Sequence, residues 1–452
     1  MQRRWGNLIT AVNKARGLRT VMLTAGSLSV ARVITAAVQI ALVPLLLTHL
    51  GTELFGTWVA LCAIPIILQV ADFGLGNAMV NDVAKMSHVG NERALLLYIL
   101  ERYRFLIFIS AVVAFFGAAL SFLPIWRVFF NITPILSDSE LWHSMVAIAL
   151  VSALQLLFNT NQQIWLGMQE GMRNGISLAI GAFLNLCAVA VCVELDVGLP
   201  LIIFASAFGM IASQFFSTLL LFSKIKLRIV CLFEEWPNLS AIFEILKSAR
   251  GFFVIQLCGL LSFNLDVLLV SRFVGGQGVA EYSVVARLFS IPTLVLSLLL
   301  SGLWPVISRA QVAGDFAWIK RTFALTLAVS VILSATLTIG LYLASDLLIG
   351  YWTKDIVHPS EAVVLGFSVW VILTAVGGNI AIYLNGVGEI SYQARMSVIF
   401  AVVNIIASLV FVNVFGVSGP IWGSVLASSI YYIFALRRVR TVFVASAEKV
   451  RA

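Results

Sequence analysis

The sequence predicts an all-α integral membrane protein of about twelve transmembrane helices, arranged as two parallel six-helix lobes around a central cavity. Three observations predict it. Hydrophobic residues fill 61% of the 452 positions and charged ones only 11%, against roughly half and a quarter in soluble domains. The apolar residues gather in runs of about twenty, the length that carries a helix across a hydrocarbon core of ~30 Å. Landmarks of the first half also return in the second at a nearly constant spacing of about 220 residues.

The elements follow in order. Residues 1–25 are basic, with Trp5, Leu8, Ile9 and Val12 at helical spacing, which predicts an amphipathic segment lying on anionic head groups. Apolar runs near 26–48, 54–72, 105–124, 144–166, 175–195 and 199–222 form an N-lobe of residues 26–222. Residues 223–249, with Lys224, Lys226, Arg228, Glu234, Glu235 and Lys247, read as a cytoplasmic inter-lobe linker. A C-lobe of residues 250–437 holds runs near 251–272, 284–307, 323–349, 362–384, 396–415 and 419–436, and residues 438–452 form a cytoplasmic tail. The runs are continuously apolar without two-residue alternation, which excludes a transmembrane barrel.

Orientation follows from Lys and Arg, which short loops retain on the cytoplasmic side. With the N-terminus inside, 24 of the 29 lie in inner segments. Four, Arg127, Arg272, Arg287 and Lys354, lie outside, and Arg32 lies within the first helix. Both termini are therefore expected in the cytoplasm.

The same composition excludes several functions. The net charge of +8 is spread along inner loops rather than gathered on a soluble patch, so no nucleic-acid partner is expected. Five cysteines, an odd number mostly within predicted helices, imply no disulfide framework. The four histidines are dispersed, and no metal site or cofactor is expected. No Gly-Lys pair occurs anywhere, so the phosphate loop of an ATP-driven pump is absent. A membrane enzyme such as a polysaccharide polymerase or ligase needs a sizeable external segment, and the longest predicted outer loop is only residues 125–143.

The repeat gives the organisation. Ala31-Arg32 is echoed by Ala249-Arg250 at an offset of 218, and Gly167 in Trp165–Glu170 by Gly386 in Leu384–Glu389 at 219. Asn185 matches Asn404 at 219, and Pro200 matches Pro420 at 220. Six helices per half cross the membrane in the same sense, a parallel repeat about the membrane normal. Transporters so built hold their ligand at the repeat interface and alternate access by rocking.

Polar residues inside apolar runs are the site candidates, since a charge at mid-bilayer costs ~2.5–3.5 kcal/mol on insertion scales. Arg32 lies roughly 9 Å into its helix at 1.5 Å per residue. It and Arg250 either snorkel to head groups or face the cavity, where planar guanidinium forks grip the oxygens of an anionic ligand bidentately. Gln39, seven residues beyond Arg32, extends the same helix face. Asp266, beside Asn264, is the clearest buried acid; Arg287 is its expected salt-bridge partner, the alternative being a coupling H⁺ or Na⁺. Arg287 is also the third candidate for an anionic ligand. Gln155, Asn159 and Gln162 or Gln163 form a polar stripe that either bonds sugar hydroxyls or ties helices together. Gln39, Gln155, Asn159 and Asn264 are the expected polar lining. Pro44, Pro65, Pro292 and Pro305 are expected to kink their helices.

Two regions resemble a known family. Leu50-Gly51-Thr52-Glu53-Leu54-Phe55-Gly56-Thr57-Trp58 and Asp72-Phe73-Gly74-Leu75-Gly76-Asn77-Ala78 are similar to the opening of polysaccharide-transporter flippases for O-antigen or exopolysaccharide. Asn404, Phe415-Gly416-Val417-Ser418-Gly419-Pro420, and Gly423, Ser424 and Ala427 resemble their closing hairpin. The family falls within the multidrug/oligosaccharidyl-lipid/polysaccharide exporter superfamily. The resemblance implies transfer of a polyprenyl-diphosphate-linked oligosaccharide from the inner to the outer leaflet of the bacterial inner membrane, with Arg32, Arg250 and Arg287 as the candidates for its diphosphate. Membrane lipids, a polysaccharide polymerase and glycosyltransferases are the implied partners. An ion-coupled multidrug extruder of the same superfamily is the alternative, against which the paired arginines favour an anionic cargo. Asp72, Gly74 and Gly76 are expected to shape the exit turn of the second helix.

Overall fold

A computed structural model describes the backbone of residues 2–89, 91–234, 239–300 and 303–451. Side chains are described at these positions except 2–22, 77, 81, 88–89, 239–241, 244–245, 248–252, 255, 261–263, 305, 312, 390 and 444–451. Among the described residues every regular element is helical: α1 Gln2–Leu68, α2 Leu75–Val89, α3 Glu92–Ser121, α4 Ile125–Phe129, α5 Asp138–Asn159, α6 Asn161–Gly167, α7 Gly171–Glu194 and α8 Leu199–Ile225. Then follow α9 Leu239–Val274, α10 Gly276–Leu300, α11 Leu303–Val312, α12 Phe316–Thr353, α13 Glu361–Gly386, α14 Ile390–Phe415 and α15 Gly419–Arg451.

Nine stretches among the described residues are long and apolar enough to cross a membrane. The first, Leu23–Asp72, has 50 residues, roughly 75 Å at 1.5 Å per residue, and so holds two crossings. Gly51, at φ 74° and ψ 175°, breaks it between the first two predicted runs, a backbone state open to glycine. Ser391–Phe443 likewise holds two, broken at Gly416. With α9, the crossings number twelve.

The helices extend past the predicted runs because hydropathy registers only the part in hydrocarbon, while polar ends stay helical in water. The loop expected between 72 and 105 holds α2, whose Leu75, Met79 and Val83 are buried one turn apart. Helix covers residues 2–25, much of 223–249 and the tail up to Arg451. Asp72 caps the exit turn as expected, its carboxylate accepting from the amides of Gly74 (2.8 Å) and Gly76 (3.3 Å).

The chain forms two compact units. The first comprises Met1–Gln39, Leu68–Phe122 and Trp142–Phe253. Its core packs α2 against Ile99, Tyr103 and Leu106 of α3, Trp165 of α6 and Leu221 and Phe222 of α8. The second comprises Ile40–Ile67, Leu123–Leu141 and Val254–Ala452. There Ile307 of α11 packs with Ile319 and Phe323 of α12, Tyr383 and Leu384 of α13, and Ala435 and Val439 of α15.

The repeat is visible in the geometry of each unit. Gln169 (φ 61°) and Gly388 (φ 83°) are both left-handed turn residues. The following amides, of Glu170 and Glu389, donate back to Trp165 O and Leu384 O, each at 2.8 Å. Glu170 then pairs with Lys224 of α8 and Arg173, and Glu389 with Arg438 of α15 at 3.0 Å. Gly167 and Gly386 leave room for the helix beneath: a Cβ on the first would crowd Val83 of α2, and on the second Ile307 of α11.

Candidate functional site

Asp266 of α9 is buried within the second unit, 4% exposed. Its Oδ2 accepts hydrogen bonds from Tyr282 Oη of α10 at 3.1 Å and Ser424 Oγ of α15 at 2.9 Å, and its Oδ1 from Ser408 Oγ of α14 at 3.2 Å. Asn404 Nδ2 donates to Ser424 Oγ at 2.8 Å, orienting that hydroxyl's hydrogen toward the acid. Gly423 lets α15 cross against Ser408, since a Cβ there would stand 2.6 Å from the Ser408 amide nitrogen and Oγ. Four helices thus converge three neutral donors on one carboxylate, which can hold a proton or a small cation on its remaining lone pairs.

The expected Asp266–Arg287 ion pair is not formed. Tyr282, five residues before Arg287, is the α10 residue that reaches Asp266. Five residues turn a helix by about 140° and advance it by about 7.5 Å, which carries Arg287 to another side. Its guanidinium carbon lies 5.6 Å from the centroid of the Phe55 ring and 5.4 Å from that of Trp58, a cation–π seat. Arg287 Nη1 and Trp58 Nε1 are both buried without an acceptor among the described residues. Two orphaned donors beside one aromatic pair suit an oxygen-rich ligand, because a buried donor left unpaired costs ~1–3 kcal/mol.

This corner of the second unit is closely built. Glu53 accepts from the Gln277 amide at 3.0 Å, and a Cβ on Gly56 would stand 2.5 Å from the Gly276 carbonyl carbon. Ser271 Oγ and Arg272 Nη1 donate to the carbonyls of Phe130 and Val128, each at 2.9 Å. Trp352 Nε1 reaches Ile40 O at 3.0 Å.

The remaining candidates fall as follows. Arg32 and Gln39 are both exposed, near the middle of α1. Arg250 lies in α9, its side chain outside the described residues. Asn264 turns its Nδ2 to Leu260 O of its own helix at 3.1 Å. Gln155 Oε1 stands 3.5 Å from Gln69 Nε2, and Asn159 Oδ1 is buried without a donor among the described residues. The polar stripe is interrupted at Thr160, where α5 gives way to α6, so Gln162 and Gln163 belong to a separate helix. Asn161 at that break ties α6 to α8 through Gln214 O (2.7 Å) and Thr218 Oγ1 (2.8 Å), a structural anchor the stripe did not include. Tyr282 and Ser408 carry no sequence signal of their role, and Ser424 reads in the sequence only as a small residue.

Comparison with known proteins adds an independent finding. The profile of a family described as polysaccharide biosynthesis protein matches residues 23–311, and that of a family described as MatE matches residues 252–410. A candidate O-antigen transporter of Salmonella typhi is 19% identical over 437 residues, 92% of this chain and 97% of that protein. A candidate O-antigen export protein of Yersinia pseudotuberculosis is 20% identical, over 82% of this chain and 84% of its own. Among solved structures, a multidrug resistance MATE family transporter of the multidrug/oligosaccharidyl-lipid/polysaccharide exporter superfamily, in an inward-facing conformation, superposes with TM-score 0.74 at 12% identity. The superposition covers 93% of this chain and 96% of that one. An outward-facing structure of such a transporter gives 0.59 at 15% identity, over 94% and 96%. The fold is therefore the twelve-helix, two-lobe fold of these transporters.

Proposed function

Because the chain belongs to the polysaccharide biosynthesis protein family, and is a multi-pass membrane transporter by fold, we propose that it flips a polyprenyl-diphosphate-linked oligosaccharide from the inner to the outer leaflet of the bacterial inner membrane. Both termini face the cytoplasm, and the glycan serves O-antigen or exopolysaccharide synthesis, delivered by glycosyltransferases and passed to a polymerase. The observation that carries the anionic cargo is the pair of buried, unanswered donors, Arg287 Nη1 and Trp58 Nε1. Phosphate oxygens are acceptors only, and would satisfy both. A cationic drug would meet the like charge of Arg287, which disfavours the multidrug alternative.

Arg32 and Arg250 meet the diphosphate first, Arg287 holds it during transfer, and the prenyl tail stays in lipid. The cycle is one of alternating access, powered by H⁺ or Na⁺ taken up at Asp266, whose ligands are hydroxyls and not a fixed cation. The test is flipping of a fluorescent lipid-linked glycan in proteoliposomes. Arg32→Ala with Arg250→Ala is expected to abolish it, and full activity in that double variant overturns the diphosphate assignment.

A further inference from the structure

The second unit also holds a cavity with no arginine in its lining. It measures about 250 Å³ and opens between α9, α13, α14 and α15. Four aromatic rings face it, from Trp370, Phe400, Tyr431 and Tyr432. No charged side chain is in its wall among the described residues. Phe400 and Tyr431 meet edge to face at 5.9 Å, and Tyr431 and Tyr432 at 5.3 Å, so the rings brace one another. Tyr432 lies directly on the Gly377 backbone, where a Cβ would stand 2.6 Å from its Cε1. The glycine is what gives that ring its seat against α13.

The hydroxyls in the wall specify the ligand further. Thr374 Oγ1 donates to Val371 O at 2.7 Å, and Ser397 Oγ donates to Gln393 O at 2.9 Å. Each has spent its single hydrogen on its own helix and offers only acceptor lone pairs to the cavity. With the hydroxyls of Ser428, Tyr431 and Tyr432 the wall offers donors as well as acceptors. A phosphate would find no cation there to offset its charge, and a prenyl chain would use none of the hydroxyls. A neutral sugar brings hydroxyl donors and also an apolar face of C–H bonds that lies flat on aromatic rings. The volume falls below the ~300–1,000 Å³ of pockets for drug-sized ligands, which suits one sugar unit rather than a whole glycan.

We propose that this cavity is a subsite for a single neutral sugar residue of the cargo, bound by stacking on Trp370 and the tyrosine pair and by donation to Thr374 and Ser397. The proposal rests on the cargo being a lipid-linked glycan. It also has a mechanical consequence. The helices α9, α14 and α15 that wall the cavity also carry Asp266, Ser408 and Ser424, and Ser428 of the wall stands one turn from Ser424. A sugar wedged there acts on the helices that hold the buried acid.

Cys258 lines the cavity and is a native reporter. With Cys62, Cys187, Cys192 and Cys231 changed to Ser, alkylation of Cys258 by N-ethylmaleimide in nanodiscs is followed by intact mass. The added probes are neutral disaccharides (maltose, lactose, diacetylchitobiose), inorganic diphosphate, or farnesyl phosphate. The expected result is saturable, several-fold slowing by at least one disaccharide, none by diphosphate or farnesyl phosphate, and loss of the slowing in Thr374→Val with Ser397→Ala. Gly377→Ala, which drives Tyr432 into the space, is expected to remove it as well. Slowing by farnesyl phosphate that survives Thr374→Val with Ser397→Ala overturns the proposal in favour of a lipid-tail groove, and absence of slowing by any disaccharide overturns it outright. Lipid-linked glycan flipping in proteoliposomes separates the two levels. Flipping without sugar protection defeats the subsite alone, while sugar protection without flipping defeats the flippase reading alone.

Discussion

Gly56→Ala is the sharpest perturbation of the corner built from residues 53–58 and 276–287. The new Cβ would stand 2.5 Å from the carbonyl carbon and 2.9 Å from the Cα of Gly276, where non-bonded carbons settle at about 3.5–4.0 Å. The Gly276 carbonyl oxygen lies nearer still, and all these neighbours are backbone, so the two segments must part by more than about 1 Å. Overpacking of this kind costs ~1–3 kcal/mol, and parting also weakens the Gln277 amide bond to Glu53, worth ~1 kcal/mol at its exposed position. The sum of roughly 2–4 kcal/mol, at a decade per 1.4 kcal/mol, raises the local opening equilibrium by roughly 30- to 1,000-fold. Amide hydrogen exchange in the peptide spanning 274–280 reads that equilibrium directly. Gly340→Ala is the control, because nothing lies within 4 Å of its Cβ position. Exchange in Gly56→Ala within about threefold of the Gly340→Ala protein would show that the close approach carries no such energy.

Trp58→Phe keeps a ring under Arg287 but deletes the orphaned N–H, and should weaken glycolipid binding while sparing thermal stability; unchanged affinity in a binding titration removes Trp58 from the site. Asp266→Asn keeps an acceptor for the hydroxyls and should fold, yet flipping in it should lose all dependence on the H⁺ or Na⁺ gradient. Asp266→Leu, by contrast, strands the buried hydroxyls of Tyr282 and Ser424 at ~1–3 kcal/mol each, while Ser408 keeps Pro420 O as acceptor at 3.2 Å, and it should melt well below the Asn variant in a detergent thermal scan. Glu389→Arg alone should destabilise by about 1 kcal/mol, and Glu389→Arg with Arg438→Glu should recover it. Failure of that rescue denies the pairing an energetic role.

The crossings were legible because each needs its own apolar run, and the turns fall where Gly51 and Gly416 adopt positive φ. The repeat was legible because its landmarks are geometric: Glu170 and Glu389 each begin a helix after a left-handed residue, a requirement that few side chains meet. Asp266 stood out as an acid in hydrocarbon. Its partners did not, since Tyr282, Ser408 and Ser424 come from three other helices, up to 158 residues away, and ordinary hydroxyls carry no periodicity. The salt bridge to Arg287 failed for a related reason: nearness along adjoining helices says nothing of azimuth, which packing decides. The close corner was equally hidden, because Glu53 and Gln277 stand 224 residues apart.

The duplication also sharpens what Asp266 does. At the offsets of 218 to 220 set by the landmarks, Asp266 falls opposite Leu47 or Thr48, Ser408 opposite Val189 and Ser424 opposite Phe204. None of these is an acid, and Leu47 and Val189 are buried and apolar. Only the asparagine survives in both copies, Asn404 donating to Ser424 Oγ and Asn185 accepting from the Met210 amide at 3.0 Å. The scaffold was therefore kept twice while the acid and its hydroxyls occur once, so they are not a requirement of the fold. Leu47→Asp tests this asymmetry. With no hydroxyl at the matching positions, the new carboxylate should cost ~2.5–3.5 kcal/mol and confer no second ion dependence on flipping. A stable Leu47→Asp protein with altered ion stoichiometry would mean that the scaffold alone makes the site, and that the three hydroxyls around Asp266 are incidental.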